Sequence, residues 1–470
     1  MAKEVYLDTY GRSHIASKVL SSGGQGIVYL TDEPNVLLKL EWNPLTQEIQ
    51  KDTNNNDKFD NIRILPILEK TNITLPQTIL RDVAGYTMKM LDGMISFEEA
   101  FNSDEYEQPK NQWVIDMLEA NEYLGSRLQR YIATGGMRKR LNAYLNASCV
   151  LAKIHASGLV YCDISGKNMF VSSDPNQATV WLIDCDNLDY MKNTVKKRDE
   201  GLHSPGYGAP EIYEDKGKTM YSDVFSFAIA LFWDLTMSHP FMGLAASEML
   251  DEIDMLDAPE EDYVCNGEFA WVCDEEDDSN ASFSGMPIEM FVNENLARKF
   301  QKTFGEIGRH NRQKRTTMPE WSYVLAKELD HTVRCKCCQM DYYGNEESSC
   351  PWCDTENKIV KVSSYKIIDD RKELIWDFVH ETSEEVVSVP VRILEGFCSN
   401  NLDEKALRIS WIDEGMEIGD LSNQYDFFLQ DSMGKQIYGS TRFNMTDKVV
   451  LLVIDRRNDN RYLLEVEVKQ

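Results

Sequence analysis

Between about residues 15 and 100 the apolar positions come in short runs broken by turn residues. Gly26 to Leu30, Val36 to Leu40 and Tyr86 to Leu91 each read as strands. From about 110 to 330 the spacing becomes helical, and Asp223 to Leu235 is apolar on nearly every face, as expected of a helix buried in a large domain. Asp251 to Asp278 is dense in acids and predicts a solvated loop with short pieces of structure. Beyond residue 360 the chain turns β-like: Leu407, Ile409 and Trp411 alternate with polar residues, as do Leu464, Val466 and Val468. Val449 to Ile454 reads as a buried strand.

These shifts divide the 470 residues into three parts: 1–330, 331–360 and a β-rich stretch at 361–470. The length supports two or three cores, and 42% apolar with 10% aromatic residues is a globular composition. A formal charge of -29 repels phosphate backbones and anionic membranes, so neither nucleic acid nor a membrane is an expected partner. The opening Met-Ala-Lys-Glu-Val-Tyr lacks a basic-then-apolar export signal, and Phe225 to Trp233 is too short to span a bilayer. The expected location is therefore cytoplasmic. There the cysteines, eleven in all with five between Cys335 and Cys353, point to metal instead of disulfides.

Ser21-Ser22-Gly23-Gly24-Gln25-Gly26-Ile27-Val28-Tyr29 has the layout of a glycine loop that lets backbone approach phosphates, with Val28 placed to pack on a purine. Alone, such a glycine cluster is more often a plain turn. Lys39 ends the strand Val36 to Leu40, where an ammonium would meet α- and β-phosphates; a solvated strand-end lysine is the plainer alternative. Asp163 and Asn168 have the spacing of a catalytic loop, the aspartate accepting a hydroxyl proton and the asparagine oxygen binding a metal. After a strand at Val180 to Ile183 comes Asp184-Cys185-Asp186, its first carboxylate placed to chelate magnesium. Each aspartate, taken singly, is also a turn former or a helix cap. Their order along one chain makes coincidence a poor explanation.

Taken together these motifs resemble the protein kinases. Gly208-Ala209-Pro210-Glu211 resembles the end of a kinase activation segment, and Ser222-Asp223-Val224-Phe225-Ser226-Phe227 the start of the central helix. The resemblance covers about residues 15 to 330 and implies an α+β, bilobal protein-kinase fold, with a small lobe at about 15–90 and a large one at about 91–330. It implies that Asp223 holds the catalytic-loop backbone and that Glu211 pairs with Arg315. The chain is also similar to a bacterial subfamily associated with tellurium-resistance and stress-response clusters. The shared features are the Gly-Gly-Gln-Gly loop, Gly85-Tyr86-Thr87-Met88, a DxD, and Cys350-Pro351-Trp352-Cys353. By that likeness Met88 is the gatekeeper, and Lys89 to Leu91, with Met90 among them, form the adenine hinge.

Three positions depart from the kinase pattern. Cys162 stands where an arginine usually precedes the catalytic aspartate, which puts control through a phosphorylated activation loop in doubt. Cys185 and Asp186 replace Phe and Gly, so Asp186 is expected either as a second metal-facing carboxylate or as a surface or capping residue. The helix glutamate that should pair with Lys39 is not obvious, and Glu48 is the nearest candidate.

Cys335-Lys336-Cys337-Cys338, eleven residues, then Cys350-Pro351-Trp352-Cys353 is a zinc spacing. Cys335, Cys338, Cys350 and Cys353 are the expected ligands of a structural ion, with Cys337 or His331 as substitutes for one of them. The part at 361–470 is expected to be a small β-sandwich that binds a protein partner.

The expected function is ATP- and magnesium- (or manganese-) dependent phosphoryl transfer to Ser/Thr on a protein, possibly itself, in stress or defence signalling. Asp163, Lys39, Asn168 and Asp184 carry the chemistry. Gly23, Gly24, Gly26, Val28, Met88 and Met90 line the nucleotide site. The alternative is a pseudokinase scaffold that binds nucleotide and partners.

Overall fold

The computed structural model describes residues 4–469 apart from 24–25, 44–45, 47, 52, 54, 105–110, 175–176, 192–202, 215, 254–258, 345–347, 369–370, 383–384, 413–414, 422, 430–435, 438–440 and 445–447. Six N-terminal strands form one sheet: β1 (Glu4–Leu7), β2 (Ser13–Ser22), β3 (Ile27–Thr31), β4 (Val36–Leu40), β5 (Pro76–Ile79) and β6 (Gly85–Lys89). Their order is β1-β2-β3-β4-β6-β5, every neighbouring pair antiparallel. The two ends meet through the Asp8–Leu80 bridge and a bond from Arg81 N to Leu7 O at 2.8 Å. The sheet thus rolls up with little free edge around Ala16, Ile27, Leu38, Leu40 and Leu80. The strand expected at Tyr86 to Leu91 stops at Lys89, where the Met90 amide turns to bond Asn35 O at 2.9 Å.

Helix α1 (Asn56–Arg63) packs on β5 and β6, burying Phe59 and Ile62. Its first residue, Asn56, bonds Leu80 O, Val83 O and the Gly85 amide. The larger lobe is built on α2 (Gly136–Ala156) and α3 (Met220–Thr236). Thr219 and Ser222 close a capping box at the start of α3, whose apolar residues on all sides place it at the centre of the lobe. The acidic stretch is less solvated than its composition suggests. It forms α4 (Glu260–Tyr263), and Val264, Cys265, Trp271 and Val272 are buried in the core, because its apolar residues cluster between the acids.

After α5 (Met318–Asp330) come the cysteine knuckle and two antiparallel sheets. The larger has six strands in the order Arg371–Glu381, Ile359–Ile368, Arg461–Lys469, Val449–Asp455, Tyr425–Leu429, Gln436–Ile437. The smaller has four: Val386–Pro390, Lys405–Ile412, Gly415–Asp420 and Thr441–Asn444. Val449–Asp455 alternates buried with half-buried positions, so one of its faces carries the core.

These C-terminal parts share one apolar core with the large lobe. Arg138 of α2 forks onto Glu381 at 3.0 and 3.1 Å, and Tyr343 Oη donates to Phe291 O at 2.8 Å. Trp352 packs against Phe291 and Trp113. Asp330, at the end of α5, accepts from both Arg392 Nε and Nη2 at 2.5 Å and from Trp376 Nε1 at 2.7 Å. Both side chains of this ion pair are nearly inaccessible. Removing one partner leaves a buried charge unpaired, so Asp330→Ala is expected to lower unfolding free energy by roughly 3–5 kcal/mol. Urea unfolding followed by tryptophan fluorescence checks this; a loss below about 1 kcal/mol, the scale of an exposed pair, contradicts it.

Candidate active site

Strand pairing brings the first part of the site together. Lys39 lies opposite Val28 on β3 and opposite Tyr86 on β6, while its neighbours Leu38 and Leu40 point into the barrel. Two glycines allow the strands to approach this closely: a Cβ on Gly26 would come 2.8 Å from Leu40 O, and one on Gly85 2.4 Å from Lys39 O. The Gly23 amide bonds Gly26 O at 2.9 Å and closes the glycine turn. Gly24 and Gln25 lie outside the described residues. Met88 packs against Phe59, Ile79 and Tyr86, and half-buried Met90 follows just beyond the strand.

The catalytic-loop candidate is held from below by α3. Asp223 accepts from the amides of Tyr161 at 2.8 Å and Cys162 at 2.9 Å, and lies 2.9 Å from His155 Nε2. Cys162 has φ 75, a conformation that side chains seldom adopt and that such a clamp can enforce. Asn168 Nδ2 donates to Asp163 O at 2.9 Å, which leaves the amide oxygen as the end suited to a cation. Asp163 is 7% exposed and accepts from the Ser204 amide at 3.1 Å and hydroxyl at 2.9 Å. Burial pushes its carboxyl above the ordinary aspartate range; the Ser204 bonds pull it down, and the charge of Asp184 adds to the rise.

Asp184, at φ 58, begins the short turn Cys185–Asn187. Cys185 is buried in the large lobe, its Sγ donating to Thr74 O at 2.8 Å. The two aspartates on either side of it both reach Lys39 Nζ, Asp184 at 2.6 Å and Asp186 at 2.7 Å. Tyr86 Oη donates to the other oxygen of Asp186 at 2.5 Å. Burial works against the Lys39 ammonium, but Asp186 and then Asp184 outweigh it, and its pKa is raised. Glu48 takes no part: it sits exposed on the short strand Glu48–Ile49. The carboxylates on Lys39 come from the turn after Val180–Leu182, not from the segment before α1.

Asp262, His203, Ser204 and Tyr213, which the motifs did not single out, help to hold the segment 203–213 in place. Asp262 Oδ1, on α4, meets His203 Nε2 at 3.0 Å, Tyr213 Oη at 2.5 Å and the Gly206 amide at 3.3 Å. Ser204, between them, is the residue that bonds Asp163. Just beyond, Arg315 Nη1 and Nη2 fork onto Glu211, both contacts at 2.8 Å and fully buried. No spacing in the sequence marks Asp262, one acid among many.

Farther away, the structure gathers Cys335, Cys338, Cys350 and Cys353, all four Sγ atoms within 4.8 Å of one another. Two of the separations are 3.6 and 3.7 Å, near the roughly 3.8 Å between sulfurs around a tetrahedral zinc. Cys337 is exposed, and His331 faces Asp377. The donor set fits zinc. That of Asp184 and Asn168, hard oxygens beside a glycine turn and a lysine, fits magnesium with a phosphate.

Residues 69–322, more than half the chain, match the protein kinase domain family, and the chain belongs to that family. Over 101 residues it is 29% identical to a probable serine/threonine-protein kinase of Dictyostelium discoideum, which covers 21% of this chain and 19% of that protein. The chain thus spans about a fifth of the length of this curated relative. Among the described residues no helix is long and apolar enough to cross a membrane.

Asp262→Ala removes three bonds to the segment, each worth about 1 kcal/mol net. Amide exchange across residues 203–213 is expected to rise by roughly tenfold or more. Unchanged exchange there would show that α4 does not hold the segment.

Proposed function

We propose that this chain is a protein kinase that transfers the γ-phosphate of ATP, with magnesium or manganese, to a serine or threonine hydroxyl on a protein, its own chain included. The observation that carries this reading is the meeting of three stretches of sequence: Lys39 pairs with Asp184, the charge of Asp184 acts on Asp163, and Asn168 bonds Asp163 O. Gly23, Gly24, Gly26 and Val28 would cover the nucleotide, with Met88 and Met90 along the adenine. Lys39 would hold the α- and β-phosphates. Asp184 and Asn168 would hold the metal, which when bound neutralises charge on the phosphates. Asp163 orients the acceptor hydroxyl and takes its proton as the new O–P bond forms and the bond to the bridging oxygen breaks, releasing ADP.

The four cysteines are read as a structural zinc ribbon that ties the kinase domain, 1–330, to the β domain at 361–470. The ribbon, the DxD and the glycine loop support membership of the bacterial stress-cluster subfamily. The β domain is read as a site for a protein partner, and the cytoplasm as the location. The charge of -29 speaks against nucleic acid or a membrane as partner. A second reading, a nucleotide-binding scaffold, draws on Cys162 in place of the arginine.

Labelled ATP with magnesium and a generic basic substrate decides between them. The expected result is label on either protein, abolished by Asp184→Ala and lowered roughly 10²–10⁴-fold by Asp163→Asn. Stabilisation by ATP without transfer would favour the scaffold, and neither would sink both readings.

The same assay has a pH dependence. Asp163 must be ionised to accept a proton, so kcat/KM is expected to fall as pH drops through its raised pKa, with the acidic limb above the ordinary aspartate value. Ser204→Ala removes the hydroxyl bond that favours the anion, while the amide bond remains, and is expected to move that limb to higher pH. A limb that stays or moves lower would show that Asp163 is not the group titrating.

A further inference from the structure

The lysine that grips ATP phosphates sits on a long, flexible stem and has to be aimed. In a protein kinase the aiming partner is a glutamate on a helix beside the sheet, and activity follows whether that helix is in place. Here the helix beside the sheet is α1, which turns Asn56, Phe59 and Ile62 inward. Its acids, Asp57 and Asp60, are exposed, and Asp60 is paired with Arg63 at 2.7 Å. Phe59 fills the inward position instead, its ring 4.9 Å from that of Tyr86.

Among the described residues the carboxylates in ion-pair reach of Lys39 are Asp184 and Asp186. They differ in setting. Asp184 is about a quarter exposed, as a residue that meets a metal and phosphates must be, whereas the Asp186 side chain is 8% exposed. Asp186 gives one oxygen to Lys39 and the other to Tyr86, and Tyr86 is itself directly across the strand pair from Lys39. The three side chains close a ring of contacts in which Asp186 is fixed from both sides.

We infer that Asp186 is the positioning residue for Lys39, taking the part of the absent helix glutamate, and is not a ligand of the metal. This rests on the kinase reading above. The aspartate of the metal and the partner of the lysine then belong to one turn, Asp184 to Asp186, anchored through buried Cys185. Lys39 is aimed whenever that turn is formed, so displacement of α1 does not release it.

The test uses the full chain with Asp186→Asn, Lys39→Met, the double substitution, and Tyr86→Phe as a milder change that keeps the carboxylate. Melting of the nucleotide-free proteins is measured first. The expected pattern is non-additive, the double variant losing no more than the worse single one, since either change alone strands a buried charge. Transfer from ATP is then titrated with magnesium. For Asp186→Asn, kcat is expected to fall roughly ten- to hundredfold, the scale of one strongly coupled pair, while half-saturating magnesium stays within about twofold. Tyr86→Phe should show the same pattern in smaller measure. Additive melting losses, or a magnesium requirement raised by about tenfold or more, would overturn the assignment and return Asp186 to the metal. An unsubstituted chain that transfers nothing would overturn the kinase reading instead, and the melting cycle would still decide whether Asp186 and Lys39 act as a pair.

Discussion

A buried ammonium shared by two carboxylates joins the two lobes of this protein. Lys39 comes from the barrel-like sheet, and Asp184 and Asp186 from a turn rooted in the helical lobe. Lys39 is 6% exposed, so burial without those partners would favour its neutral form; with them the charged form prevails. The junction of the lobes therefore has a fixed cationic point with acids beside it, a pairing suited to phosphate and a divalent metal together. Tyr86, buried and bonded to Asp186, carries the same link back into the sheet.

The other polar contacts hold the loops around that junction. Asp223 fixes the loop that carries Asp163, and Ser204 bridges Asp163 to the following segment. Asp262 and the Arg315–Glu211 pair then hold that segment from two sides. A kinase with an arginine before its catalytic aspartate can order this segment through phosphorylation. Here Cys162 offers no such cation, and the acidic insert supplies the order from outside the motif. The C-terminal sheets continue the same body through Arg138–Glu381 and Asp330–Arg392.

The parts of the site legible in the sequence are those that chemistry ties to a short spacing. Asp163 with Asn168, Asp184 with Asp186, and the paired cysteines each sit within one turn or hairpin, so a few residues of chain dictate their geometry. Lys39 is legible because it sits one residue from the end of a short apolar strand, Val36–Leu40. What escaped was set by long-range packing. Asp186 and Tyr86 are 100 residues apart, His203 and Asp262 are 59 apart, and nothing local in either stretch announces the partner. Glu48 follows Lys39 closely in sequence, but it lies exposed on a strand, and Phe59 fills the inward position of α1. The stretch Asp251 to Asp278 misled for a related reason, since its many acids masked Val264, Trp271 and Val272, which are core residues.

The most direct test of this account is a crystal structure of the full chain with magnesium and a non-hydrolysable ATP analogue. The account predicts the analogue's phosphates at Lys39, the metal on Asp184 and Asn168, and Asp186 still bonded to Lys39 and Tyr86. A metal held by Asp186 with Lys39 released, or an analogue bound elsewhere, would contradict it.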